Sequence, residues 1–152
     1  MKRFHFSLRP LATVRAHQEQ RAREAFAAAV HVYVQAEENL ARTRVRVADF
    51  ERAVATSRRE RFNPAIEAEN LTAYRRECAV ESEAERRVTA MREAMEKSRA
   101  AYIEAHRKLD VVHRLEEKAR TDHRLALGRE EQAEFDEFAG RRHFARSKSV
   151  SP

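Results

Sequence analysis

Apolar residues recur every three or four positions along most of this chain, which is the spacing of one face of an α-helix. In the first half, apolar and small residues form a single continuous face of about fifty residues. That face consists of Leu11, Val14, Gln18, Ala22, Ala25, Ala29, Val32, Ala36, Leu40, Thr43, Val47, Phe50 and Val54. The pattern predicts a first helix over about 8–60 whose middle is built largely from alanine.

The second half shows a stricter repeat. Its stripe alternates steps of three and four, as in a coiled-coil seam, through Val88, Met91, Met95, Ser98, Tyr102, Ala105, Leu109 and Val112. Asn63 is a favoured N-cap residue and Pro64 suits the first helical position, so we expect a turn at about 59–63 and a second helix over about 64–139. Four apolar residues do not all fit the two stripes, namely Tyr33, Val45, Leu71 and Tyr74.

Two amphipathic helices joined by a short turn fold back on each other most simply. We therefore predict an all-α protein, a long antiparallel two-helix coiled-coil hairpin covering 1–140. Gly140 would cap the second helix, and the basic segment 141–152 would be a disordered tail.

The start of the chain, FHFSLRPL, alternates apolar residues as a strand would. It is better interpreted as a helix entry, with Ser7 as N-cap and Phe6 packing against Leu11 in a hydrophobic staple. Phe4 has no structural explanation from this pattern.

Charged side chains are distributed unevenly, and both ends of the chain are basic. The 152 residues carry 31 basic and 25 acidic side chains, a net charge of +6. Segments 1–15 and 141–152 contain four basic residues each and no acid. Because an antiparallel hairpin brings both termini to one end, we expect these eight charges to form a basic tip.

Few residues of the chain are candidates for a metal site, a catalytic site or a ligand-binding loop. His106, Asp110 and His113 share a helical face and are of the type that binds zinc or iron, but the first helix offers no matching ligands, so we expect neither a metal nor another cofactor. Cys78 falls at a seam position, where a thiol behaves as a small apolar group. No phosphate-binding loop, signal peptide or membrane-spanning stretch is evident, and we expect a soluble protein with no catalytic residues.

Three short motifs resemble a known family. They are Phe4-x-Phe6-x-Leu8-x-x-Leu11 followed by Arg15, Glu19 and Ala22, then Gln35-Ala36-Glu37-Glu38-Asn39-Leu40, and finally Glu134-Phe135-Asp136-Glu137-Phe138-Ala139-x-Arg141. In order, position and chain length they are similar to the flagellar type III export proteins called FliJ.

The resemblance implies a non-enzymatic coiled-coil stalk of the flagellar protein export apparatus, similar to the rotor stalk of F-type ATPases. Such proteins sit in the hexameric ring of the export ATPase, promote its assembly and activity, and contact the cytoplasmic ring of the export gate. They also help to recycle export chaperones. A cytoplasmic location at the flagellar base, touching the inner membrane only indirectly, is implied as well.

The resemblance places the export-gate contact near the bend, where Phe50, Phe62 and Tyr74 fall. The ATPase contact would lie at the basic tip, formed by Lys2, Arg3, Phe4, Arg9, Arg15, Arg141 and Arg142. Two alternatives stay open: the equivalent stalk of a virulence type III secretion system, and a basic structural or nucleic-acid-binding coiled coil. Nucleic acid is the weaker partner, because basic residues of the body are interleaved with acids.

Overall fold

Two long helices account for most of the chain. The computed structural model describes the backbone of residues 3–60 and 62–148 and the side chains of 3–59 and 62–143. The first helix, α1, spans Arg9–Glu60, and the second, α2, spans Pro64–Lys148. No strand occurs in these described residues, so the prediction of an all-α helical fold is confirmed.

Local hydrogen bonds explain where both helices begin. In α1 the amide of Ala12 donates to the carbonyl of Leu8 over 3.0 Å, so the helix starts one residue later than an N-cap at Ser7 would place it. In α2 the amide of Ala65 donates to Oδ1 of Asn63 over 3.0 Å. This bond satisfies one of the amides that a helix start leaves without a partner, and it confirms Asn63 as the N-cap.

Residues 18–106 form one compact unit in which α1 and α2 run antiparallel. Near the turn, Arg58 forms an ion pair with Glu67. At the other end of the unit, Nδ1 of His106 lies 3.5 Å from Oε1 of Glu19. Residue numbers therefore rise in α1 as they fall in α2, which is the geometry of a helical hairpin.

The centre of this hairpin is a small apolar cluster. Ala36, Leu40, Ala84 and Val88 are buried together, with Tyr33 and Met91 packed partly buried against them. Because each helix offers only one face to the other, burial is confined to a narrow stripe. Val45, which lies off that stripe, is 60% exposed.

A seven-residue repeat of buried and half-buried positions runs along α1 in alternating steps of three and four. Its members are Ala12, Arg15, Glu19, Ala22, Phe26, Ala29, Tyr33, Ala36, Leu40, Thr43, Val47, Phe50, Val54 and Ser57. The repeat is that of a coiled-coil seam. In α2 the predicted stripe from Val88 to Val112 is buried or half-buried at every position, which confirms it.

The predicted stripe of α1 is right from Ala36 to Val54 and wrong in part before it. Leu11, Val14 and Val32 belong to the predicted stripe, yet they are exposed. Tyr33, predicted to lie off the stripe, is on the seam. The first half of the seam thus uses aromatic and charged side chains, whose apolar parts pack while their polar ends reach water.

One fully buried seam position is polar. Thr43 is fully buried, and its hydroxyl donates to the carbonyl of Asn39 over 2.9 Å and accepts from Nη2 of Arg46 over 3.3 Å. Nε of Arg46 lies 3.4 Å from Oε2 of Glu77 on α2. This ion pair joins the two helices beside the buried hydroxyl and favours one register of the helices over others.

A second unit contains the described residues 3–17 and 107–148. Phe6 and Val112 are its buried side chains, 9% and 4% exposed. Phe4 contacts the ring of His123. The N-terminal segment and the first turns of α1 therefore pack along the part of α2 that follows residue 107.

The end of α2 corrects the prediction of a disordered tail after Gly140. The helix continues to Lys148, and the predicted tail residues 149–152 lie outside the described residues. Gly140 does not take the positive φ of a helix cap. A glycine inside a helix costs about 1 kcal/mol relative to alanine, and the ion pair from Glu137 to Arg141 bridges it by joining the turns on either side.

Candidate interaction sites

Phe4 is an anchor of the N-terminal segment. Its ring meets that of His123 edge-on, with centroids 5.5 Å apart, and the guanidinium of Arg120 lies over the ring, 5.5 Å from its centroid. An aromatic ring against a cation and a second ring is a favourable arrangement. The structure thus supplies the role that the sequence pattern did not: Phe4 holds the chain onto α2.

Arg120 connects this anchor to a carboxylate. Its Nη2 donates to Oε1 of Glu116 over 2.7 Å, and this bond lowers the pKa of Glu116 below its ordinary value. The charges of Arg120, Arg9 and His113 act in the same direction, while partial desolvation opposes them. Glu116 is therefore held as a carboxylate beside Arg120 and Arg9.

The basic residues predicted to form one tip are not brought together. Arg3, Arg9 and Arg15 belong to the segment that packs beside α2 up to His123, whereas Arg141 lies about 27 Å further along that helix. The stretch between them contains five acids, namely Glu130, Glu131, Glu134, Asp136 and Glu137. Two separate basic groups replace the predicted single tip, because α2 continues beyond the point where α1 begins.

Exposure also differs within the predicted ATPase contact. Arg3 and Arg9 are exposed and Arg15 is half-buried at a seam position. Arg141 is paired with Glu137. Of the other residues predicted to contact the ATPase, Arg142 lies 5.7 Å from the ring centroid of Phe138, and Lys2 lies outside the described residues.

The three aromatic residues predicted to contact the export gate have different environments. Phe50 and Tyr74 are half-buried in the hairpin, whereas Phe62 is 68% exposed. The hydroxyl of Tyr74 donates to Oε1 of Glu51 over 2.8 Å. This bond, with a smaller contribution from Cys78, raises the pKa of Tyr74, so the phenol stays protonated and bonded to α1.

The histidine-rich face of α2 has protein partners. His106 faces Glu19 and lies against the ring of Tyr102, and Oδ2 of Asp110 accepts from Arg114 over 2.8 Å. Within the part of the chain that the structure describes, no group of three or more histidine, cysteine or acidic side chains is arranged to hold a metal ion.

Phe135 and Phe138 form an exposed aromatic surface that the sequence analysis did not assign as a site. They are 69% and 58% exposed and line a shallow groove with Glu131 and Glu134. The sequence feature that could have indicated this surface is a pair of phenylalanines three residues apart in an otherwise charged segment.

Among the described residues, no helix has a stretch long and apolar enough to cross a membrane.

The fold defines an all-α protein of two long paired helices, whose candidate sites are exposed and half-buried side chains along those helices. Residues 4–148 match the family model described as flagellar FliJ protein, and the chain belongs to that family of flagellar export components. This is a family of non-enzymatic structural proteins. Neither a search of curated proteins nor a search of solved structures found a match.

Proposed function

We propose that this chain is the stalk of a flagellar export apparatus, inserting in the hexameric export ATPase ring, promoting its assembly and activity, and linking it to the export gate. The family match over residues 4–148 carries the proposal. The paired helices support it, because two α-helices side by side are only about 20 Å across and suit the central hole of a protein ring.

We also propose where in the cell the chain works and which other proteins it meets there. The chain would work in the cytoplasm at the flagellar base, reaching the inner membrane only through the export gate. Export chaperones would be its transient partners, met while the chain is bound to the apparatus.

For the ATPase contact, we favour the N-terminal basic residues over the C-terminal ones. Arg3 and Arg9 are exposed beside the anchored Phe4, so their charges are held in place. Arg141 and Arg142 are engaged within α2 by Glu137 and Phe138. Charges on an anchored segment lose less conformational freedom when a partner binds.

For the gate contact, we favour Phe62. It lies in the turn between the helices and is 68% exposed, and Ile66 on the first turns of α2 is 48% exposed. Exposed apolar side chains close together are typical of protein contact sites. Phe50 and Tyr74 would support this surface from within the hairpin.

The experiment measures stimulation of the purified hexameric export ATPase by the full chain, and capture of the cytoplasmic export-gate domain. The double variant Arg3→Gln/Arg9→Gln should lose most of the ATPase stimulation and keep gate binding. The variant Phe62→Ala should lose gate binding and keep stimulation. Each variant thereby serves as the control for the other.

A second control tests whether net charge alone matters. The double variant Arg86→Gln/Arg99→Gln removes the same charge from exposed positions on α2 and should stimulate the ATPase normally. Stimulation should also fall as salt rises from 50 to 300 mM, roughly in line with screening of exposed charges. The proposal is wrong if the unaltered chain neither stimulates the ATPase nor binds the gate domain.

A further inference from the structure

The last described part of α2 has no neighbouring helix. Every residue from Gly128 to His143 is exposed, including the aromatic rings of Phe135 and Phe138. Further toward the N-terminus, α2 is covered on one face, as Val112 shows with 4% exposure. Exposed aromatic rings on an uncovered helix are typical of a surface that binds another protein.

Four side chains on this surface form a symmetric pattern. Glu131, Phe135, Phe138 and Arg142 follow one another at steps of four, three and four, which places them on one face of a helix. The order is acid, aromatic, aromatic, base. Reversing the direction of the helix exchanges the two rings and exchanges the acid with the base.

We propose that this face, defined by Glu131, Phe135, Phe138 and Arg142, binds the same face of a second copy of the chain in an antiparallel, two-fold symmetric dimer. In that arrangement Phe135 lies opposite the second copy's Phe138. Each copy's Glu131 lies opposite the other copy's Arg142, so one such pair closes each end of the interface. The contact is isologous, meaning that one patch serves both molecules.

Charge selects this partner and this direction. A parallel arrangement would set acid against acid and base against base, which is unfavourable. A uniformly acidic or uniformly basic partner would match only one end of the face. A second copy in the antiparallel direction matches both ends, and it covers four aromatic rings at once.

The dimer is weak and depends on concentration. Two rings and two charges per molecule make an interface smaller than the 1,200 Å² or so that stable complexes bury. Such an interface forms where copies are concentrated and separates where they are dilute. This proposal does not depend on the proposed role as an ATPase stalk.

The experiment is sedimentation velocity of the full chain between about 5 and 500 μM, at low salt, with circular dichroism as the check on folding. The unaltered chain should shift from monomer to dimer as concentration rises. The double variant Phe135→Ala/Phe138→Ala should stay monomeric. Because all these residues are exposed, helix content should be unchanged.

A charge swap tests the antiparallel register. Either Glu131→Arg or Arg142→Glu alone sets like charges opposite each other at both ends and should weaken the dimer at least tenfold. The double variant Glu131→Arg/Arg142→Glu restores opposite charges and should restore the dimer. Arg129→Glu, an exposed charge reversal on the opposite face of the same segment, is the control and should dimerise normally.

Three outcomes would overturn the proposal. If the unaltered chain sediments as a monomer at every concentration, the aromatic face does not bind a second copy and must bind a different protein. A dimer that survives loss of both rings would place the contact elsewhere. A dimer that is weakened by the single reversals but not restored by the swap would exclude this antiparallel register.

Discussion

Leu40 gives the sharpest test of the seam. It is 9% exposed and belongs to the small cluster with Ala36, Ala84 and Val88. We predict that Leu40→Ala destabilises the chain substantially, whereas Val45→Ala, an aliphatic truncation five residues along the same helix, does not.

The magnitude follows from the atoms removed. Leu40→Ala deletes three carbons, each worth about 0.8 kcal/mol when buried, which gives about 2.4 kcal/mol. Buried Leu→Ala changes cost about 2–5 kcal/mol, with the upper values coming from sealed cavities. Leu40 and Val88 line a groove open to water together with Arg44 and Arg92, so water fills the space and the lower end of the range applies.

The assay is thermal and urea unfolding followed by circular dichroism of the helices. A loss of about 2.4 kcal/mol should lower the Tm by about 5–10 °C for a chain of this size. Val45 is 60% exposed, so Val45→Ala should change the free energy of unfolding by less than about 0.5 kcal/mol. If the two variants lose the same stability, the seam is not the source of stability and our assignment of the core is wrong.

Two further predictions concern polar groups. Thr43→Val should leave the free energy of unfolding within about 1 kcal/mol of the parent in urea titrations, because a hydrogen bond contributes only about 1 kcal/mol net and both bonds of the Thr43 hydroxyl lie within α1. A loss above about 2 kcal/mol would show that the hydroxyl holds the two helices together. Glu116 has a lowered pKa because of its bond from Arg120, so its contribution should be present above its unfolded pKa of about 4.5 and disappear as pH falls through its folded pKa. The stability difference between the parent and Glu116→Gln should therefore be greatest near neutral pH and shrink as pH falls below 4.5. A stability difference that grows on acidification would contradict this prediction.

The fold could be predicted from the sequence where large apolar residues fix the phase of the repeat. Val88 and Val112 belong to such a stripe in α2, and both are buried. In the first half of α1 the segment AFAAAVHVYV offers several overlapping stripes. Alanine is small and nearly neutral in hydropathy, so it does not decide between them, and the packing of Tyr33 against the partner helix does.

The candidate sites were harder to predict, because exposure depends on how far the two helices overlap. Phe4 and Phe138 both looked like residues near a chain end. The structure packs Phe4 against His123 and Arg120 and leaves Phe138 uncovered. The difference comes from the lengths of the helices, 52 residues for α1 and 85 for α2, and from the helix continuing through Gly140.

From the antiparallel pairing we expect a particular order of folding. The ion pair from Arg58 to Glu67 joins residues only 9 apart, whereas Arg44 and Glu85 are 41 apart. Closing a short loop costs less entropy than closing a long one, and local contacts form sooner. We therefore expect pairing to start beside the turn and to proceed away from it, because each new pair shortens the loop that the next pair must close.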